Sequence, residues 1–138
     1  MNKEYEGFNK SVETIIKGYR AIDDIKYVIS QDLVKLENLW RNQSKILEMK
    51  KSTPTFQNFL VENLAKTYAQ VIPVLRVGKY IKQQGVSLSD LSLIPLNKLE
   101  IIAKAGVKWT DDVKLDLEVK GYNDLSYKYG NKKTINNS

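Results

Sequence analysis

Residues 53–108 read TPTFQNFLVENLAKTYAQVIPVLRVGKYIKQQGVSLSDLSLIPLNKLEIIAKAGVK, and they contain helix start and stop signals at short intervals. Thr53 suits a helix cap, and Pro54 suits the first helical position because no backbone donor is needed there. Gly85 and Gly106 suit helix ends, where the chain turns left-handed. These signals predict a helix after Pro54, a turn at 64–67, a helix to Gln84, a helical turn at 88–92 and a helix opened by Pro95.

Apolar residues at helical spacing predict two helices before this stretch. The first covers about residues 3–17 and is expected to stop near Gly18; its apolar residues are Tyr5, Phe8, Val12, Ile15, Ile16 and Tyr19. The second covers about 21–50; its stripe comprises Ile22, Ile25, Ile29, Leu33, Leu36, Leu39, Trp40 and Leu47. At 1.5 Å per residue it would be roughly 40 Å long. It therefore either packs along the helices that follow or pairs in part with a second chain.

Beyond Trp109 the sequence supports two structures. Apolar residues alternate with charged ones over 112–119, which is typical of a half-buried strand and would suit the wing of a winged helix. Thr110 followed by two aspartates is also a good helix start, and Gly121 a good helix stop. Asn123 is expected to cap a last short helix, and residues 131–138 to form a flexible tail.

Composition excludes several kinds of chemistry. The 138 residues include neither Cys nor His, and neither a glycine-rich phosphate loop nor a nucleophile elbow is present. On a helix, Asp111, Asp112 and Asp116 could bring carboxylates together for a divalent cation, as could Asp23 and Asp24. Asp111 and Asp112, and likewise Asp23 and Asp24, fit better as residues near helix starts. We therefore expect no enzyme activity, catalytic residue, metal, cofactor or small-molecule substrate.

The location expected from the sequence is cytoplasmic. No apolar run approaches the roughly 18 residues needed to cross a bilayer. The first ten residues, MNKEYEGFNK, mix charges where a signal peptide would be apolar. These features predict an intracellular protein without a membrane partner.

Positive charge is concentrated in the middle of the chain. The net charge is +6, and residues 53–108 contribute +4 of it through seven basic and three acidic residues. A local positive field favours a polyanionic partner. A turn at 64–67 would expose the start of the next helix, where Lys66, Thr67, Tyr68 and Gln70 could reach base edges. Arg76, Lys79 and Lys82 follow at intervals of three and could track a phosphate backbone.

This middle segment resembles the helix-turn-helix region of ParB-type partition proteins and related phage and plasmid DNA-binding proteins. The resemblance rests on FQNFLVENL, VLRVGKYI and IPLNKLEIIAKAG. It implies a role in partition, replication or transcription, with Lys66, Thr67, Tyr68 and Gln70 at the recognition positions. The chain departs from the pattern at Ala65, Lys66 and Pro73, and Pro73 would remove a hydrogen bond from the recognition helix.

The predicted fold is mainly α: a helix-turn-helix core, long N-terminal helices and a possible short β element near 112–119. Its parts would be N-terminal brace or dimerisation helices (1–52), a helix-turn-helix-like DNA-binding segment (53–108), a C-terminal helix or wing (109–130) and the tail (131–138). The predicted function is a homodimeric duplex DNA-binding protein of a mobile element. The alternative is a helical protein-protein interaction module, such as a viral structural component or an inhibitor of a host protein. In that alternative the same basic face meets an acidic protein surface. If 55–69 is instead one continuous helix, the segment is part of a helical bundle and its basic residues are merely solvated.

Overall fold

The computed structural model describes residues 3–42, 51, 55–64 and 67–130. Over these residues the chain is helical and contains no strand, which confirms the mainly α prediction. The elements are α1 (Lys3–Asn42), α2 (Phe56–Leu64), α3 (Tyr68–Gln84), a 3-10 turn (Leu88–Leu91), α4 (Leu96–Ala105), α5 (Asp111–Val119) and α6 (Tyr122–Leu125), which continues as a π turn (Ser126–Gly130). The predicted tail lies outside the described residues.

The two helices predicted before residue 53 form a single helix in the structure. The chain does not stop near Gly18, and α1 runs without interruption from Lys3 to Asn42. A single glycine costs a helix only about 1 kcal/mol relative to Ala. No proline follows Gly18 to enforce a stop, so the helix continues. The part of the second helix predicted over 43–50 lies outside the described residues.

Helix α3 lies at the centre of the fold. Val77, Tyr80 and Ile81 on one of its sides belong to a core that includes Leu99 and Ile102 of α4 and that extends to α5 and α6. From α1, Tyr27 enters this core and donates its hydroxyl to the Ile94 carbonyl at 2.7 Å. Burial, with the nearby charges of Asp23 and Asp24, raises the pKa of Tyr27 far above its usual value.

A second core joins α1 and α3 to α2. It contains Leu33, Val34, Leu60, Val71 and Leu75. Beside it, Trp40 packs on the rings of Phe59 and Phe56, with centroid distances of 5.0 and 5.9 Å. The second half of α1 therefore packs against other helices of its own chain, and Trp40 is a core aromatic residue.

Capping interactions set several helix boundaries. Gly85 and Gly106 adopt φ of 66° and 70° and end α3 and α4, as predicted. Asp23 of α1 caps α4 from a distance in sequence, since its Oδ1 accepts from the Leu96 amide at 3.1 Å. The Thr110 hydroxyl accepts from the Val113 amide at 3.2 Å, so 111–119 forms a helix and the possible strand or wing does not occur.

Asp116 ties the last turns to α5. Its Oδ2 accepts from the Lys128 ammonium and from the Tyr129 hydroxyl, each at 2.6 Å. The bonds from Lys128 and Tyr129 hold the pKa of Asp116 below its usual range. The C-terminal turns are thereby fixed to the body by polar contacts as well as by buried Leu125 and Tyr129.

Helices α1 and α3 approach each other closely at Gly78 of α3. A Cβ atom built there would collide with the backbone carbonyl of Ser30 and come within 2.9 Å of Val34 Cγ2. Ser30 is itself buried, and its hydroxyl donates to the Tyr27 carbonyl at 2.6 Å. The crossing of α1 and α3 therefore requires the absence of a side chain at residue 78.

Gly78→Ala is expected to lower the free energy of unfolding by at least about 2 kcal/mol, because overpacking outweighs the gain in helix propensity. Denaturant titration followed by circular dichroism measures this. Gly18→Ala is the control, since a Cβ there meets no atom within 4 Å. Equal stability of the two variants would show that the crossing tolerates a side chain.

Candidate functional site

The first half of α1 extends beyond the part of the structure that contains the two cores. We call that part, which consists of the second half of α1 and of α2 to α6, the body. Every side chain described from Glu6 to Ile22 is exposed. These include large apolar side chains, among which Phe8 and Tyr19 are each 66% exposed and Ile15 is 57% exposed. We call residues 6–22 of α1 the overhang. Such exposure is informative because it concerns a contiguous set of residues rather than scattered ones.

The apolar stripe of the overhang continues the buried face of α1. Its residues are spaced alternately four and three apart, at positions 8, 12, 15, 19, 22, 26, 29, 33, 36 and 40. All except Lys26 are apolar. From Leu33 onward, α2 and α3 cover this face, whereas Phe8 to Ile29 remain uncovered. A repeat of this kind is typical of helices that pack side by side with another helix.

The size of the uncovered stripe matches that of an interface. Six large side chains of the stripe and the flanking Ile16 form this surface: Phe8, Val12, Ile15, Tyr19, Ile22 and Ile29, with Ile16 beside them. At about half exposure they present on the order of 700 Å² of apolar surface. The largest patch on a typical monomer is roughly 300–600 Å², and each partner in a standard interface buries about 800 Å².

Two grooves lie where the overhang meets the body. The larger, of about 570 Å³, is mostly apolar and is lined by Lys26, Ile29, Leu33, Leu64, Gln70, Val71 and Val74. The smaller, of about 260 Å³, lies between the overhang and the start of α4; Ile16 and Tyr19 form one wall, and Leu93 and Pro95 form part of the other. Leu93 is also exposed. The exposed apolar surface is therefore continuous from the stripe to the neighbouring part of the body.

The predicted base-reading residues lie near a real helix break. α2 ends at Leu64, and Thr67 has an extended backbone before α3 begins at Tyr68, so 55–69 is not one helix. Lys66 lies outside the described residues, and for Tyr68 only the backbone is described. Thr67 and Gln70 are exposed, but Gln70 Oε1 accepts from the Thr67 amide at 3.0 Å. Gln70 thus helps to cap α3.

The predicted phosphate-tracking cations do not form one free row. Lys79 Nζ lies 3.0 Å from Glu37 Oε1 of α1, and Arg76 lies 3.7 Å from Glu100 of α4. Lys82 is exposed. Pro73 lies inside α3, which continues through it. The packing of α3 between α1 and α4 therefore directs Arg76 and Lys79 toward carboxylates on opposite sides.

A polar groove of about 270 Å³ nevertheless opens beside these cations. It is lined by Arg76, Lys79, Tyr80, Gln83, Gln84, Ala103 and Gly106. The Tyr80 hydroxyl donates to the Val107 carbonyl at 2.6 Å, and burial raises the pKa of Tyr80 to about 12. Lys104 and Lys108, both exposed, are close in sequence to the groove-lining residues Ala103 and Gly106.

Neither a metal-binding cluster nor a membrane span occurs in the described part of the chain. No group of three or more Asp or Glu side chains there could hold a metal ion. Among the described helices, none combines the length and hydrophobicity that a bilayer span requires.

No protein-family model, curated protein or solved structure matches this chain. The likeness to ParB-type proteins therefore stays a resemblance between short motifs.

The sequence places the candidate site in the middle segment, and the overhang is not predicted from it as a binding surface. The signal that indicates one continuous helix is the spacing of its apolar residues, which alternates between four and three without a break across Gly18. Treating Gly18 as a stop assigned the first apolar stripe to a separate short helix, whose partner was left open. Only the positions of α2, α3 and α4 show which part of the stripe remains uncovered.

Proposed function

We propose that this protein is a helical protein-protein interaction module that docks through the overhang of α1. The observation that carries the proposal is the uncovered apolar stripe from Phe8 to Ile29, which continues the face buried in the protein's own core. Removing apolar surface from water contributes roughly 25 cal/mol per Å², so this face has a strong tendency to be covered.

The chemistry of the stripe favours a protein partner over a polyanion. Apart from Lys26, the residues of the stripe are aliphatic or aromatic. Five of the flanking positions, Asn9, Ser11, Ile16, Gly18 and Ile25, are uncharged, and the sixth is Asp23, which caps α4. Lys10, Lys17 and Asp24 lie on the opposite side of the helix, seven residues apart. Phosphate binding needs cations on the contact face, whereas packing against another helix needs this apolar pattern.

Ile15→Asp is expected to abolish docking, because it places an unpaired charge in the middle of the buried surface. Val28→Asp is the matched control: Val28 is 54% exposed on the same helix but lies away from the stripe. The measurement is affinity capture from an extract of the cells that produce the protein, with tagged wild type, Ile15→Asp and Val28→Asp as baits and with untagged chain added.

The proposal requires that wild type and the Val28→Asp variant each retain a protein in fixed stoichiometry and that Ile15→Asp does not. The retained protein can be the untagged chain or another one. Retention that is unaffected by Ile15→Asp would exclude the overhang as the docking surface. Circular dichroism of the three proteins checks that the helix content is equal.

A second candidate function is duplex DNA binding, and the cationic groove beside α3 favours it. Arg76 and Lys79 line that groove, and the exposed Lys82, Lys104 and Lys108 add positive charge on the same two helices and the following loop. The helix break before α3 also fits the predicted turn. In this candidate α3 and α4 contact phosphates, and the overhang sets the spacing of two DNA-binding bodies.

The combined variant Lys82→Gln and Lys104→Gln is expected to weaken binding to all duplexes and to reduce the salt slope by about two. These exposed lysines are preferable to Lys79, whose removal would also break an ion pair of the buried Glu37. Lys35→Gln is the control, since Lys35 is exposed on α1 away from the face that packs on α3. Fluorescence anisotropy at several salt concentrations gives both quantities; a salt slope unchanged from wild type would remove this face from consideration.

A further inference from the structure

We infer that the partner of the overhang is a second copy of this chain, with the two α1 helices running antiparallel. This inference rests on the proposed docking function. It concerns the same stripe and names its occupant: the stripe from Phe8 to Ile22 of another copy.

The area and shape of the stripe suit pairing with itself. The side chains from Phe8 to Ile22 that form the stripe, with the flanking Ile16, present on the order of 600 Å² of apolar surface, which approaches the roughly 800 Å² that one partner buries in a stable interface. The stripe from Phe8 to Ile22 spans 15 residues of one unbroken helix and repeats every seven residues, so an identical stripe offers side chains at matching intervals. A two-fold pair of this kind leaves no further copy of the stripe exposed.

The covered half of α1 determines whether the two paired α1 helices run parallel or antiparallel. From Leu33 onward α2 and α3 occupy the face that the stripe would offer to a partner. A parallel pair would bring both sets of covering helices to the same end, between axes only about 8–10 Å apart. An antiparallel pair places the two bodies at opposite ends, where each copy keeps its own α2 and α3.

Lys26 supports the same direction. It stands on the stripe where the overhang meets the body and lines the larger groove. In a parallel pair the two Lys26 ammonium groups would face each other in one layer, and like charges in contact oppose association. In an antiparallel pair centred on the overhang, Val12 faces Ile15 of the second copy, and the two Lys26 residues are separated by roughly 40 Å along the axis.

The first test is the mass of the full chain by sedimentation velocity over a wide concentration range. We expect a reversible dimer for wild type and for Val28→Asp. Ile15→Asp is expected to raise the dissociation constant by at least about 100-fold, because the change occurs twice in the symmetric pair. Val28 and Ile15 have similar exposure, so the two variants differ mainly in the face that they alter.

The second test is the direction of the pair. The chain has no cysteine, so the single variants Lys10→Cys, Lys17→Cys and Asp24→Cys can each carry a spin label on the outward face of α1. In an antiparallel pair the axial separation of the two labels is about 10 Å at position 17 and about 30 Å at position 24. A parallel pair gives nearly equal distances at all three positions and would overturn the assigned direction.

The results of these experiments distinguish failure of the dimer inference from failure of the proposed docking function. Suppose that the wild-type chain stays monomeric, yet retains another protein that Ile15→Asp does not retain. That result would overturn the second copy as the occupant and would leave the docking function in place. Binding of the monomer to anionic lipid vesicles through the same residue would overturn both. A dimer unaffected by Ile15→Asp would show that the copies meet elsewhere.

Discussion

The fold depends on one close contact, the crossing of α3 over α1 at Gly78. Because residue 78 has no side chain, the backbone of α3 comes against the carbonyl of Ser30. This approach brings Val71 and Leu75 onto Leu33 and Val34, and on the other side it brings Val77 and Ile81 to the core of α4 to α6. A wider crossing would separate both cores at once.

The same crossing determines which surfaces remain for binding. With α3 held between α1 and α4, two of its cations form ion pairs with Glu37 and Glu100, and their field outside the protein is partly compensated. Among the described residues, α2 and α3 cover only the second half of the apolar face of α1, and the side chains from Phe8 to Ile22 remain exposed. The cations of α3 are therefore partly neutralised within the protein, whereas the apolar side chains of the overhang are exposed to water. For this reason the overhang, rather than α3, is the surface that a partner is most expected to cover.

The sequence was informative where a local signal decides the structure. Gly85 and Gly106 end helices as predicted because only glycine adopts positive φ at little cost. Local signals were misleading at Gly18, where no second signal accompanies the glycine, and ambiguous at 112–119 until the Thr110 cap was seen. The ion pair of Lys79 with Glu37 joins residues far apart in sequence, and spacing alone cannot predict it.

The order of α1 and α3 along the chain affects biosynthesis. Because α1 precedes its covering helices, its whole apolar face leaves the ribosome before residues 56–81 can shield the second half. The overhang remains unshielded even after the chain has folded. Two neighbouring nascent chains on one messenger RNA would therefore present complementary surfaces early, and assembly during translation would shorten the time in which either surface can aggregate.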